Sequence, residues 1–196
     1  IPPALEGADA LVAEADRLLA GGDAATAVLR FSEALEAAPT RVDALVGRAR
    51  ARARAGADPV LVREDLDRAL AQAPSSAPAL RTLAEWHLQR GDLRAARESL
   101  DLALEAAGSS PADAAAEVDA IADVRLRVDE AARAERAVVE RADALLDAFD
   151  GRSAASALET ALAAAPASSA LLAAMSRVHT DLGRFDEAVR SAVEAE

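Results

Sequence analysis

Turn-forming residues recur along this chain at a nearly fixed interval. Gly22, Gly56 and Gly91 are 34 and 35 residues apart, and Pro39 and Pro74 are 35 apart. Each glycine closes one stretch of helical apolar spacing, and each proline closes the next. One unit therefore reads helix, Gly turn, helix, Pro turn. A helical pair of this size carries two apolar faces and cannot bury both by itself. Stacking successive pairs buries them, so the period predicts an all-α solenoid of antiparallel helix pairs.

Composition agrees with that architecture. Of 196 residues, 52% are hydrophobic and only 2% aromatic, with Ala and Leu dominant. Ala, Leu, Arg and Glu are strong helix formers, and an Ala-rich core lets helices approach closely. The formal net charge is −12. That opposes nucleic-acid binding, which calls for a basic footprint. All 22 basic residues are Arg, with no Lys and no Asn, a bias expected of a GC-rich bacterial genome. Cysteine is absent, which excludes disulfides and thiolate metal sites and leaves the compartment open, the cytoplasm being favoured slightly over the periplasm. No apolar run reaches the ~18 residues of a membrane span, and no signal peptide is visible. The start at Ile1-Pro2-Pro3 is read as a processed, trimmed or excised N-terminus.

The segment Leu83-Ala84-Glu85-Trp86-His87-Leu88-Gln89-Arg90-Gly91-Asp92-Leu93-Arg94-Ala95-Ala96 places a large and a small apolar residue side by side, then a Gly-Asp turn. Small, large and small residues follow at spacings of four and three, as Ala96, Leu100 and Ala103. The same register recurs as Ala27, Phe31, Ala34 and Pro39; as Val62, Leu66, Ala69 and Pro74; and as Ala154, Leu158, Ala161 and Pro166. It returns as Leu172, Met175, Ser176, Gly183, Ala188, Ala192 and Ala195. This pattern resembles the tetratricopeptide repeat (TPR) family. It implies a TPR superhelix of about five repeats: an N-terminal block at 1–110 (about 8–41, 42–76 and 77–110) and a C-terminal block at 135–196 (about 135–168 and 169–196). Asp23 and Asp92 are suited to cap second helices, and Ser110-Pro111-Ala112-Asp113 reads as another helix start.

The pattern breaks twice. Residues 112–150 contain neither Gly nor Pro, and one helix over them would run ~58 Å at 1.5 Å per residue. Val118, Ile121, Val128, Val139, Ala142, Leu146 and Phe149 recur near helical spacing along it. Two readings stay open: a single long helix, which the pattern favours, with 111–134 extra, or a degenerate repeat turning near Arg125 to Glu130. The second break is the end. Glu196 falls inside a second helix, with Val189 and Val193 near an uncovered face. A downstream segment, a docking partner or self-association is expected there.

Chemistry is sparse. His87 and His179 occupy one packing slot in two repeats and are expected to be structural; one His per repeat makes a poor metal site. Gly21-Gly22-Asp23 lacks the Lys and Ser/Thr of a phosphate loop. Ser75-Ser76 and Ser109-Ser110 have no partnering base, and the carboxylates read as solvated faces. No catalytic residue, metal site or cofactor is assigned. Trp86 is expected to fill space beside Ala49 to Ala53, the alternative being a ligand anchor.

The most distinctive feature is the run Arg48, Arg50, Arg52, Arg54. Arg50 and Arg54 share one helix face, and Arg48 and Arg52 another. Arg48 and Arg52 fall at apolar positions and must snorkel or pair with acids from neighbouring helices. The TPR resemblance implies that Arg50, Arg54 and Arg81 face a concave groove, either as a salt-bridged face or as an anion-accepting patch. It further implies partner-binding residues Val12, Asp16, Arg50, Arg54, Arg81, Glu85 and Leu88, with Glu140, Asp143 and Asp147 making a later, acidic stretch. TPR carboxylate clamps use Lys and Asn, which this chain lacks, so that role is not carried over. The expected function is a non-catalytic scaffold or adaptor holding a protein or peptide. A regulatory TPR segment of a larger bacterial signalling, transcription or secretion protein, and an envelope assembly factor for pilus or outer-membrane proteins, are the alternatives.

Overall fold

A computed structural model describes residues 3–108 and 114–195; the expected cap at Ser110 to Asp113 and the terminal Glu196 lie outside them. Ten α-helices are present among the described residues, in sequential antiparallel pairs: α1 (Pro3–Ala20), α2 (Ala24–Ala37), α3 (Val42–Arg54), α4 (Pro59–Gln72), α5 (Ala77–Arg90), α6 (Leu93–Gly108), α7 (Ala114–Asp147), α8 (Gly151–Ala164), α9 (Ser169–Asp181) and α10 (Phe185–Ala195). The candidate break at Arg125 to Glu130 does not occur. α7 is one helix of 34 residues, about 51 Å long.

Among the described residues, five helix-to-helix turns share one geometry. In each, two backbone amides in succession reach back to carbonyls three and five residues earlier. The first pair is Gly22 N–H to Leu19 and Asp23 N–H to Leu18, and the series continues at Gly56, Gly91, Phe149 and Gly183. This is the Schellman closure, which needs a left-handed residue at its centre. Gly22, Gly56, Gly91 and Gly183 supply it with φ of 90°, 70°, 77° and 72°. The fifth is Phe149 at φ 57°, a conformation costing ~1–2 kcal/mol in any residue with a Cβ. Phe149 was expected on the apolar stripe of the long helix. It is instead a turn residue, 97% exposed. After the turns, Asp23, Asp58, Asp92 and Asp150 accept first-turn amides of the following helices, as N-cap residues do.

The chain divides into two compact units. The first comprises residues 1–86 and 99–121, the second 87–98 and 122–196. In the first, α1, α2 and α3 bury Ala15, Ala27, Phe31, Ala34, Leu45 and Ala51 in one cluster. Gly47 is where α3 comes nearest to α2: a Cβ there would lie 2.3 Å from the Phe31 ring. A second cluster holds Ala49, Val62, Leu66 and Leu83, with Ala53 and Trp86 packed against it. Trp86 therefore fills space beside the Ala-rich stretch of α3. Its indole N–H donates to the Pro59 carbonyl at 3.2 Å, and the Arg63 guanidinium lies 5.6 Å from its ring.

Arg48 and Arg52 meet the acid their positions require. Asp65 of α4, 1% exposed, accepts from Arg48 Nη2 and Arg52 Nη1, both at 2.6 Å, and from Arg48 Nε at 2.9 Å. Arg48 Nη1 also donates to Ser32 Oγ at 3.3 Å. One buried carboxylate thus ties α3 to α4 through two cations.

In the second unit, Ala142, Ala154, Leu158, Leu171, Ala174, Met175 and Val178 form the core. The α8–α9 loop closes over the α5–α6 turn: Ala167 N–H donates to the Arg90 carbonyl at 3.0 Å, and a Cβ on Gly91 would meet Ala165 Cβ at 2.4 Å. On α10, Ala188 and Ser191 are buried. Ala192, expected to pack, is exposed, because no described helix lies over that face. Val189 and Val193 are 63% and 67% exposed.

Asp65→Ala leaves two arginines around a buried void. Urea denaturation at 25 °C is expected to show a loss of ~3–5 kcal/mol. Replacing the three together by Met, Met and Leu is expected to recover most of it.

Candidate functional site

The residues singled out in the sequence fall in both units. Val12, Asp16, Arg50, Arg54, Arg81 and Glu85 belong to the first; Leu88, Glu140, Asp143 and Asp147 belong to the second.

The first unit holds a groove of about 600 Å³ whose walls come from α1, α3 and the start of α5. Val42, Val46, Gly47 and Pro78 give it an apolar floor, and Asp16 and Arg50 stand on its sides. Helical spacing explains the arrangement. Val46 and Arg50 lie one turn apart on α3 and so share one face, while the room left by Gly47 is taken by the Phe31 ring. Arg50 forms neither an ion pair nor a hydrogen bond with any described residue. It interacts electrostatically with Asp16. Asp16 is held above the ordinary carboxylate value by partial loss of water, opposed by Arg50 and reinforced by Asp43. Arg41 closes one end of the groove and is already engaged, with Asp9 and bidentately with Asp43. Asp43 is pulled below its usual range, first by Arg41 and also by the Ala44 amide, against the effect of burial.

The other expected residues take different roles. Val12 is 7% exposed and belongs to the core rather than the groove surface. Arg54 turns away from Arg50 and donates to the Leu19 carbonyl at 3.1 Å, where a cation complements the C-terminal end of α1. Arg81 does not join an anion-accepting patch. It is half-buried between Glu117 of α7, at 2.7 Å, and Glu85, at 3.1 Å. Glu117 was not anticipated, since the pairing depends on α7 continuing as a helix beside α5. Sequence reasoning also passed over Gly47, Val46 and Pro78, whose apolar type reads as core.

In the second unit Leu88 is half-buried on α5, and Glu140 and Asp147 are exposed on α7. Asp143 pairs with Arg177 of α9 at 3.0 Å. A smaller cavity of about 230 Å³ lies among the α5–α6 turn, α7 and the α8–α9 loop, with Arg97, Glu135 and Arg136 on its wall. Burial raises the Glu135 carboxyl and Arg97 opposes this; the Ser168 hydroxyl donates to it. His87 Nδ1 lies 3.7 Å from Asp92, and His179 Nδ1 is buried with no hydrogen-bond partner among the described residues. No described group of His, Asp and Glu has the arrangement of a metal site. No described helix is long and apolar enough to cross a membrane.

Asp16 gives a pH test. Its folded-state value lies above 3.8, so the folded state binds the proton more tightly and stability falls as pH rises through that window. Asp16→Asn is expected to raise the thermal midpoint slightly at pH 7, the gain vanishing below pH 3.8.

Comparison with known proteins bears on the fold. Residues 145–191 match the tetratricopeptide repeat family. No curated protein matches the chain. Among solved structures, the TPR domain of P58(IPK) superposes with a TM-score of 0.59 at 19% identity, over 96% of this chain and 50% of that one. The Sgt2 TPR domain from Aspergillus fumigatus gives 0.52 at 25% identity, over 64% and 82%. MamA gives 0.45 at 18% identity, over 97% and 90%.

Proposed function

We propose that this chain, a tetratricopeptide repeat protein, is a non-catalytic scaffold that holds an extended peptide or a helix of a partner in the groove of its first unit. The observation that carries this reading is the free guanidinium of Arg50 above an apolar floor of Val42, Val46 and Pro78. TPR domains generally mediate protein–protein interaction, and this groove has the features a peptide site needs. It is concave and largely apolar, with a few polar groups to fix orientation. Arg50 supplies a planar donor for a carboxylate. Asp16 opposite supplies an acceptor, so a bound segment carrying both signs is held in one direction. A polyanion is disfavoured by the net charge of −12, and no constellation of nucleophile and base accompanies the groove.

The groove is narrower in its chemistry than the arginine run suggests. Arg48 and Arg52 are spent on Asp65, Arg54 on α1 and Arg81 on two glutamates. Arg50 is the member of the set left for a partner. Affinity capture with mass spectrometry tests the reading. Arg50→Glu is expected to lose the captured protein, with affinity down about tenfold or more, while circular dichroism matches wild type. Equal capture by both proteins would remove the groove from consideration.

A further inference from the structure

We propose that Phe149, on the α7–α8 turn, anchors the chain to a second protein that offers an apolar pocket rimmed by basic side chains. Five turns among the described residues share the Schellman closure. Four place glycine at the left-handed position, and the fifth places the bulkiest side chain of the set there, at φ 57° and 97% exposed. Both properties work against folding. The left-handed conformation disfavours a Cβ, and the ring gains no packing. Other exposed apolar residues such as Leu29 and Leu126 sit in helices and need no special account.

The turn also pins the backbone that carries the ring. Phe149 N–H and Asp150 N–H each donate to α7 carbonyls at 2.9 Å. Behind them Gly151 is pressed on Leu182, where a Cβ would come within 2.9 Å of Leu182 Cδ2. A phenylalanine on a pinned backbone has only two side-chain torsions to lose on docking, the property that makes such residues interface anchors. Charge defines the occupant. Asp147 and Asp150 flank the ring, both exposed, Asp150 also accepting from the Ser153 amide; with exposed Arg152 beside them the surroundings of the ring stay net acidic, on a chain of net charge −12. A basic rim complements them, whereas a second copy of the chain brings the same charge. This site lies in the second unit and does not depend on the groove of the first.

The test separates a docking residue from a structural one. Phe149→Gly restores the residue of the sister turns, and its thermal midpoint is expected to match wild type or exceed it by up to ~4 °C. A basic-rimmed apolar pocket is mimicked by per-amino-β-cyclodextrin, with sulfated β-cyclodextrin as its acidic counterpart. In ring-labelled phenylalanine NMR, the signal missing from Phe149→Gly should shift at about tenfold lower concentration of the amine than of the sulfate. Asp147→Asn should narrow that preference. A lowered midpoint in Phe149→Gly would make the ring structural and overturn the proposal. Equal response to the two cyclodextrins would overturn the basic rim. A Phe149-dependent dimer in sedimentation velocity would make the occupant a second copy.

Discussion

Phe31 lies against α3 because residue 47 carries no side chain. A single methyl there would stand 2.3 Å from the ring, inside any van der Waals contact, and would push α3 off α2. The same logic runs along the chain. Ala27 and Ala34 flank Phe31, Ala96 and Ala103 flank Leu100, and all six are fully buried. A small residue fixes the distance between two helices, and the large one between them fills the space left over. The groove of the first unit inherits its shape from this. Its floor is the far side of the α3 segment that Gly47 brings down onto Phe31.

Where an apolar residue is replaced by a charge, the packing needs another solution. Arg48 and Arg52 converge on Asp65 across the α3–α4 interface. The arrangement resembles a polar core, and it consumes charges that would otherwise be free. Arg54 and Arg81 are consumed elsewhere. Two of the three arginines expected to face the groove are thereby engaged within the fold, and the charged groups lining the groove are Arg50, Asp16 and the Arg41–Asp43 pair. The groove therefore carries two cations and two acids rather than a cluster of cations.

The repeat itself was legible because it rests on local rules: periodic small and large residues, glycine at left-handed turns and Asp at helix starts. Pairing of Arg48 and Arg52 was legible in kind, from charge at a buried position. Its acid was not, since Asp65 looks like any helix-surface carboxylate until α4 docks. Phe149 was misread because an aromatic at the end of an apolar series counts as packing, whereas its backbone had to be left-handed. Val12 was placed on the groove by analogy and belongs to the core, where α1 meets α2 and α3. Glu117 and the contact of Gly91 with Ala165 depend on which segments meet across long separations, and no local spacing encodes that.

That last contact carries a consequence for how the chain reaches its fold. Ordinary repeat arrays are nearest-neighbour systems, and order spreads from any pair to the next. Here the Arg90 carbonyl waits for an amide 77 residues later, and residues 87–98 belong to a unit completed by 122–196. The α5–α6 turn closes locally, but its outer contacts form only once the α8–α9 loop is in place. Loop closure of this length slows folding relative to a purely local array. It also couples distant segments: loosening α8 or α9 exposes the Ala167 amide to exchange and uncovers Gly91, far upstream in the sequence.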